Sequence, residues 1–223
     1  MSAVRDSAIE PFLDETSEPR VRGFLHRPVS SNNDALVLTH SAGANCQSPS
    51  LMAVAEAFAG YGLTVLRCDL PFRQMRPQGP PGAGSATRDR EGLRQAVAAM
   101  RKIVSGRVFL GGHSYGGRQA SMLAADDADV AAALLLLSYP LHPPRRPTQL
   151  RTAHFHRLRV PSLFVTGTSD EFASVEEITA ALALIPARTR LLAIKGAGHS
   201  LGGRGGFPTV AARVSAAFQE FVG

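Results

Sequence analysis

The sequence predicts an α/β protein with a doubly wound, mostly parallel sheet and helices on both faces. Three observations predict it. Short apolar runs alternate along the chain with segments whose apolar residues recur at helical spacing, the order in which βαβ units are built. The run Ala131 to Ser138 is almost wholly apolar, as befits a strand covered by helices on both sides. The loops that carry chemically competent side chains, at His40, Asp69, Ser114, Asp170 and His199, each follow an expected strand. That is the sheet edge at which such folds bind ligands. With 223 residues and 44% hydrophobic content, one domain burying roughly 70% of its unfolded surface is expected.

Residues 1–20 read as an irregular N-terminal segment, a loose end or an edge strand, and 21–223 as the single domain. Val21 to His26 is a strand closed by Pro28, and SSNND at 30–34 is a turn by composition. Ala35 to Leu38 is a strand running into Thr39-His40-Ser41-Ala42-Gly43. Pro49 opens a helix in which Leu51, Val54, Ala55 and Phe58 keep helical spacing, ended by Gly60. Leu63 to Leu66 is the next strand, and Gln78 to Ser85 a Pro/Gly loop. Leu93, Val97, Met100 and Val104 mark a helix; Arg107 to Leu110 is a strand and Arg118 to Ala125 begins a helix. After the strand Ala131 to Ser138, residues 139–159 are proline-rich and irregular. Ser162 to Thr166 is a strand, and Ser174 with Glu177 is a capping box opening a helix through Leu184. Arg190 to Ile194 is the last strand, followed by an amphipathic helix through Val210, Val214, Phe218 and Phe221.

Composition narrows the function classes. Met1 to Arg20 carries scattered charges and no apolar core segment, so a secretory signal is not expected. The longest apolar run, Val130 to Leu137, is too short to cross a bilayer. Cys46 and Cys68 have no metal-ligand spacing and suit packing in a reduced, cytoplasmic protein. The net charge is +6, nearly all of it from scattered arginines, since only Lys102 and Lys195 are lysine. No nucleic-acid-binding module accompanies that charge. The one concentration is Arg145, Arg146, Arg151, Arg157 and Arg159 with His142, His154 and His156. It reads either as a solvated rim or as a rim that attracts an anionic substrate.

The chemistry centres on Gly111-Gly112-His113-Ser114-Tyr115-Gly116-Gly117. Strand, glycine-flanked serine and helix form a G-x-S-x-G elbow. A serine on so tight a turn sits in strained backbone, and bulk at its flanks would keep the turn from closing. Serine needs a base and the base an orienting acid, and in this topology the chain order is serine, acid, histidine. His199 is the one histidine beyond the strand-delivered Asp170. Glu171 is the rival acid. Asp126, Asp127 and Asp129 precede their strand, and Asp69 precedes the serine. The oxyanion needs two backbone donors. The Tyr115 amide is one, and the loop His40 to Gly43 offers Ala42, with Ser41 second. His40 is expected to hold that loop rather than to react.

The segments GGHSYGG, LTHSAGAN, TGTSDEF and GAGHSL resemble the serine hydrolases of the α/β-hydrolase superfamily. The likeness is to its small, lidless, dienelactone-hydrolase-like members, and Arg67 to Pro71 and Gly116-Gly117-Arg118 add to it. It spans Val21 to the C-terminus. The resemblance implies an α/β-hydrolase fold without a large lid. Two departures stand out: dienelactone hydrolases proper use a cysteine where Ser114 stands, and many relatives have glycine at the position of Ser41.

The expected activity is cleavage of a small-molecule carboxylic ester or thioester through an acyl-enzyme. Ser114, Asp170 and His199 are the catalytic residues, Ala42 and Tyr115 the oxyanion donors, and no metal or organic cofactor is required. The alternative is a hydrolase fold serving as a binding or scaffolding subunit.

Overall fold

Four consecutive leucines, Leu134–Leu137, form a strand buried on both faces, and the rest of the sheet is laid out around it. The computed structural model describes residues 8–202 and 205–223. Among these, the strands are β1 Ala8–Asp14, β2 Val21–Arg27, β3 Ala35–Thr39, β4 Thr64–Cys68, β5 Val108–His113, β6 Leu134–Leu137, β7 Ser162–Gly167 and β8 Thr189–Ile194. The helices are α1 Pro49–Gly60, α2 Pro71–Met75, α3 Ser85–Arg101, α4 Tyr115–Asp126, α5 Val175–Leu182 and α6 Gly206–Val222. All eight strands form one sheet in the order β1-β2-β4-β3-β5-β6-β7-β8. β1 and β2 pair antiparallel at one edge, and from β4 to β8 every pairing is parallel.

Two apolar layers hold the sheet. On one face α3, α4 and α5 cover Val37, Leu66, Leu110, Leu134 and Leu136. On the other, α1 and α6 cover Leu36, Leu38, Val65, Leu135 and Leu163. There Phe218 meets Phe58 and Phe109 edge-on, at ring-centroid distances of 5.5 and 5.2 Å. Alternate strand residues thus serve opposite layers, and each buried leucine contributes roughly 1.5–3 kcal/mol. The chain runs outward from β3 to β4, then crosses back to β5 on the other side of β3. That reversal leaves a crevice between the carboxyl ends of β3 and β5, the position where doubly wound sheets bind ligands.

Several expectations change. Of the two readings of residues 1–20, a loose end or an edge strand, the edge strand holds for Ala8–Asp14, which makes seven pairs with β2, while residues 1–7 lie outside the described residues. Helix α2 falls in a stretch to which no element was assigned, opened by Pro71 at its start. Helix α3 ends at Arg101, so Val104 follows it rather than belonging to it. The capping box forms, with Ser174 Oγ accepting from the Glu177 amide and the Glu177 carboxylate accepting from the Ser174 amide.

Residues 139–159 carry only a 3₁₀ turn at Phe155–Arg157 and no lid helix. The segment is fastened down: Phe155 is buried against Tyr139 and Phe164, and the Tyr139 hydroxyl donates to the Arg151 carbonyl at 2.7 Å. His142 and His154 were expected at a rim but are buried. His154 Nε2 donates to Ser121 Oγ at 2.8 Å, and Ser121 in turn donates to the Arg118 carbonyl. His156 is exposed. No helix among the described residues is long and apolar enough to cross a membrane.

Candidate active site

The turn from β5 to α4 bears Ser114 at φ 53°, ψ −114°, a conformation that costs an L-residue about 1–3 kcal/mol and persists only where its surroundings enforce it. Packing explains the flanking glycines. A Cβ on Gly116 would lie 2.5 Å from the His40 carbonyl oxygen, and one on Gly112 would lie 2.7 Å from Gly116 C and Gly117 N. The Ser114 amide is held by the Leu137 carbonyl at 2.8 Å, so β6 buttresses the turn.

Later strands deliver two further side chains to this point. His199, in the loop after β8, has Nε2 2.8 Å from Ser114 Oγ. Its Nδ1 lies 2.9 Å from both carboxylate oxygens of Asp170 in the loop after β7. The Asp170 carboxylate is buried and also accepts from the Phe172 amide. An acceptor at Nδ1 fixes the proton there and leaves Nε2 to accept from the serine hydroxyl. Glu171 is exposed to solvent. Asp126, Asp127 and Asp129 lie at the end of α4 and just beyond it, before β6, while Asp69 binds the Cys46 amide and pairs with Arg22.

Two rings flank His199. Phe172 stacks on the imidazole at 4.0 Å and 30°, and His113 lies 5.4 Å away. His113 Nε2 donates to the His199 carbonyl at 2.8 Å. Burial pulls the His113 pKa down to about 4, so it stays a neutral donor. Neither contact was foreseen, although His113 lies inside the elbow motif itself.

The loop after β3 is set by a buried histidine. His40 Nε2 accepts from the Leu70 amide at 3.1 Å, so the proton sits on Nδ1, which donates to the Ser41 carbonyl at 2.8 Å. Burial lowers the His40 pKa and keeps the ring neutral. The Ser41 carbonyl also accepts from the Ala44 amide.

Tyr115 points away from the crevice. Its hydroxyl donates to Asp89 Oδ2 at 2.7 Å, and Asp89 Oδ1 accepts from the Phe72 amide. Asp89 is fully buried, and burial raises its pKa. The two cysteines are buried and free. Burial pushes the Cys46 thiol up to about 12 and the Cys68 thiol higher still, which suits packing and not nucleophilic chemistry. Among the described residues, no three His, Cys, Asp or Glu side chains are grouped to hold a metal ion.

A strained serine between strand and helix of a mostly parallel sheet, with no helical insertion after β6, defines the lidless α/β-hydrolase class. The chain belongs to the family described as the alpha/beta hydrolase domain, which matches residues 32–216. Its backbone is similar to that of a dienelactone hydrolase from Anabaena variabilis, at TM-score 0.76 and 22% identity over 97% of this chain and 99% of that one. It is also similar to an alpha-beta serine hydrolase homologue from Coxiella burnetii, at TM-score 0.77 and 18% identity over 97% and 99%. A third likeness is to a lidless α/β serine hydrolase from Xanthomonas campestris, at TM-score 0.73 and 15% identity over 97% and 95%. Membership of the family supports hydrolysis as the general class of activity.

Proposed function

We propose that the protein is a serine hydrolase that cleaves a small carboxylic ester or thioester through an acyl-enzyme. The observation that carries this reading is the bonded chain from buried Asp170 through His199 to the strained Ser114. Ser114 Oγ attacks the carbonyl carbon while His199 Nε2 takes its proton. The imidazolium, oriented and stabilised by Asp170, then protonates the departing alkoxide or thiolate. Water repeats the sequence on the acyl-enzyme, with the same histidine as base, and releases the acid.

The oxyanion donors are the Tyr115 and Ala42 amides. Neither donates to a protein acceptor among the described residues. Peptide geometry favours Ala42 over Ser41. The His40 carbonyl oxygen abuts Gly116, so across a trans peptide the Ser41 N–H is turned away from the elbow. The Ser41 carbonyl is held by His40 and Ala44, which turns the Ala42 N–H the opposite way. The absence of a lid helix after β6 supports small, soluble substrates.

A fluorophosphonate probe tests the reading. It labels the parent protein and spares Ser114→Ala, and p-nitrophenyl esters and acyl-CoAs of increasing chain length then rank the acyl group. Absence of labelling, with no turnover of either series, would leave the scaffold reading.

A further inference from the structure

Helix α2 brings in a buried arginine whose partners are unusual. Arg73 is 4% exposed, and its guanidinium donates to four backbone carbonyls. Nη2 reaches Ala42 at 2.7 Å and Gly79 at 2.9 Å, Nε reaches Ala44 at 2.8 Å, and Nη1 reaches Arg76 at 3.0 Å. Its carbon stands 4.9 Å from the centre of the Phe72 ring. Among the described residues no carboxylate pairs with it. A buried cation with only neutral partners is a costly choice. If the aim were only to close the loop 76–79, an uncharged side chain would serve.

Two of the four bonds, to Ala42 and Ala44, go to the loop after β3. A trans peptide locks each carbonyl antiparallel to the next N–H, so holding the Ala42 carbonyl fixes the plane between Ala42 and Gly43. Holding the Ala44 carbonyl fixes the plane after Ala44. His40 and the Ala44 amide already fix the plane before Ala42 through the Ser41 carbonyl. Ala42 is therefore clamped from both sides, by His40 ahead of it and by Arg73 behind it. The planar fork of arginine spans several carbonyls at once, which an ammonium group cannot do. Helix α2 is itself tied to the elbow, because Asp89 accepts from both the Phe72 amide and the Tyr115 hydroxyl.

We propose that Arg73 is a positioning residue that holds the Ala42 amide toward Ser114, coupling both oxyanion donors to one rigid support. The inference rests on the serine-hydrolase reading above. Loss of one oxyanion donor typically costs about 10²–10³ in kcat. Arg73→Ala and Arg73→Lys, each retaining the parent's circular dichroism, are expected to lose roughly 10- to 100-fold in kcat, with KM within about threefold, as loss of a transition-state interaction requires.

Affinity for a trifluoromethyl ketone, which forms an oxyanion on Ser114, should fall by the same factor as kcat. Affinity for the matching methyl carbinol, which forms none, should not change. Added guanidinium should restore part of the Arg73→Ala loss. The proposal is overturned if either folded variant keeps parental kcat and ketone affinity, or if ketone and carbinol weaken equally. Should Arg73→Ala fail to fold, Arg73→Lys decides by the same ratio. Failure of the underlying reading looks different: the parent itself would show no Ser114-dependent turnover and no ketone binding.

Discussion

At the scale of single residues, the proposed chemistry depends on three side chains that act as a unit. Ser114→Ala should lower kcat by several powers of ten, about 10⁴-fold or more, without unfolding the protein. His199→Ala should match it, and Asp170→Asn should lose as much or less, because the imidazole would keep its place but lose its tautomer. Steady-state kinetics on the best p-nitrophenyl ester checks all three, and an additive pattern in the double variants would contradict a shared mechanism. The elbow and its partners were legible in the sequence because chain order and strand-end position restrict them so tightly. Arg73, Asp89, His113 and Phe172 were not. Each acts through a backbone carbonyl, an amide or a ring face, and such contacts leave no spacing signature. Pro71, at the start of α2, was the one signal that a helix followed Asp69.

At the scale of elements, the strand-to-helix turn is where packing is least forgiving. Gly116→Ala puts a methyl group 2.5 Å from the His40 carbonyl oxygen and 2.6 Å from Thr39 Cγ2. Overpacking against backbone costs about 1–3 kcal/mol, and relief requires moving either the elbow or the loop that bears Ala42. A lower Tm together with a larger loss of kcat is therefore expected, and a variant as stable and active as the parent would contradict the close approach. Glu177→Ala removes the N3 half of the capping box of α5 and should lower stability by about 0.3–1.5 kcal/mol, with kcat unaffected. Apolar spacing and caps located most elements because those signals are local. The edge strand β1 could be read only as one of two alternatives because five of its seven residues are exposed, so no buried face stamps an alternation on the sequence.

At the scale of the whole molecule, buried histidines set the acid stability. Burial holds His26, His113 and His154 at pKa values of about 4, so they fold neutral, whereas in the unfolded chain they take up protons near 6.5. The unfolded state binds more protons below that point. Stability is therefore full above about pH 6.5 and falls as pH drops toward 4, by at most roughly 1.4 kcal/mol per pH unit for each histidine. Urea midpoints from pH 7.5 to 4.5 should track this decline, and a flat profile would contradict the neutral buried forms.

The arginines between 145 and 159 do not form one patch. Arg157 pairs with Asp126, and Arg159 lines a cavity of 460 Å³ with Arg101 and Arg107 at the amino ends of β5 and β6, the edge opposite Ser114. Arg151 is drawn inward onto the Pro140 carbonyl. Acidic and neutral esters of equal size should therefore lose kcat/KM alike as salt rises. A selective loss for the acidic ester would point to steering.

The central claim is tested most directly by intact-mass analysis of the protein after exposure to a fluorophosphonate, with the adduct mapped to a residue. The account predicts one adduct per chain, on Ser114, with hydrolysis abolished in step and no adduct in Ser114→Ala. An adduct on another residue, or parental turnover in Ser114→Ala, would contradict it.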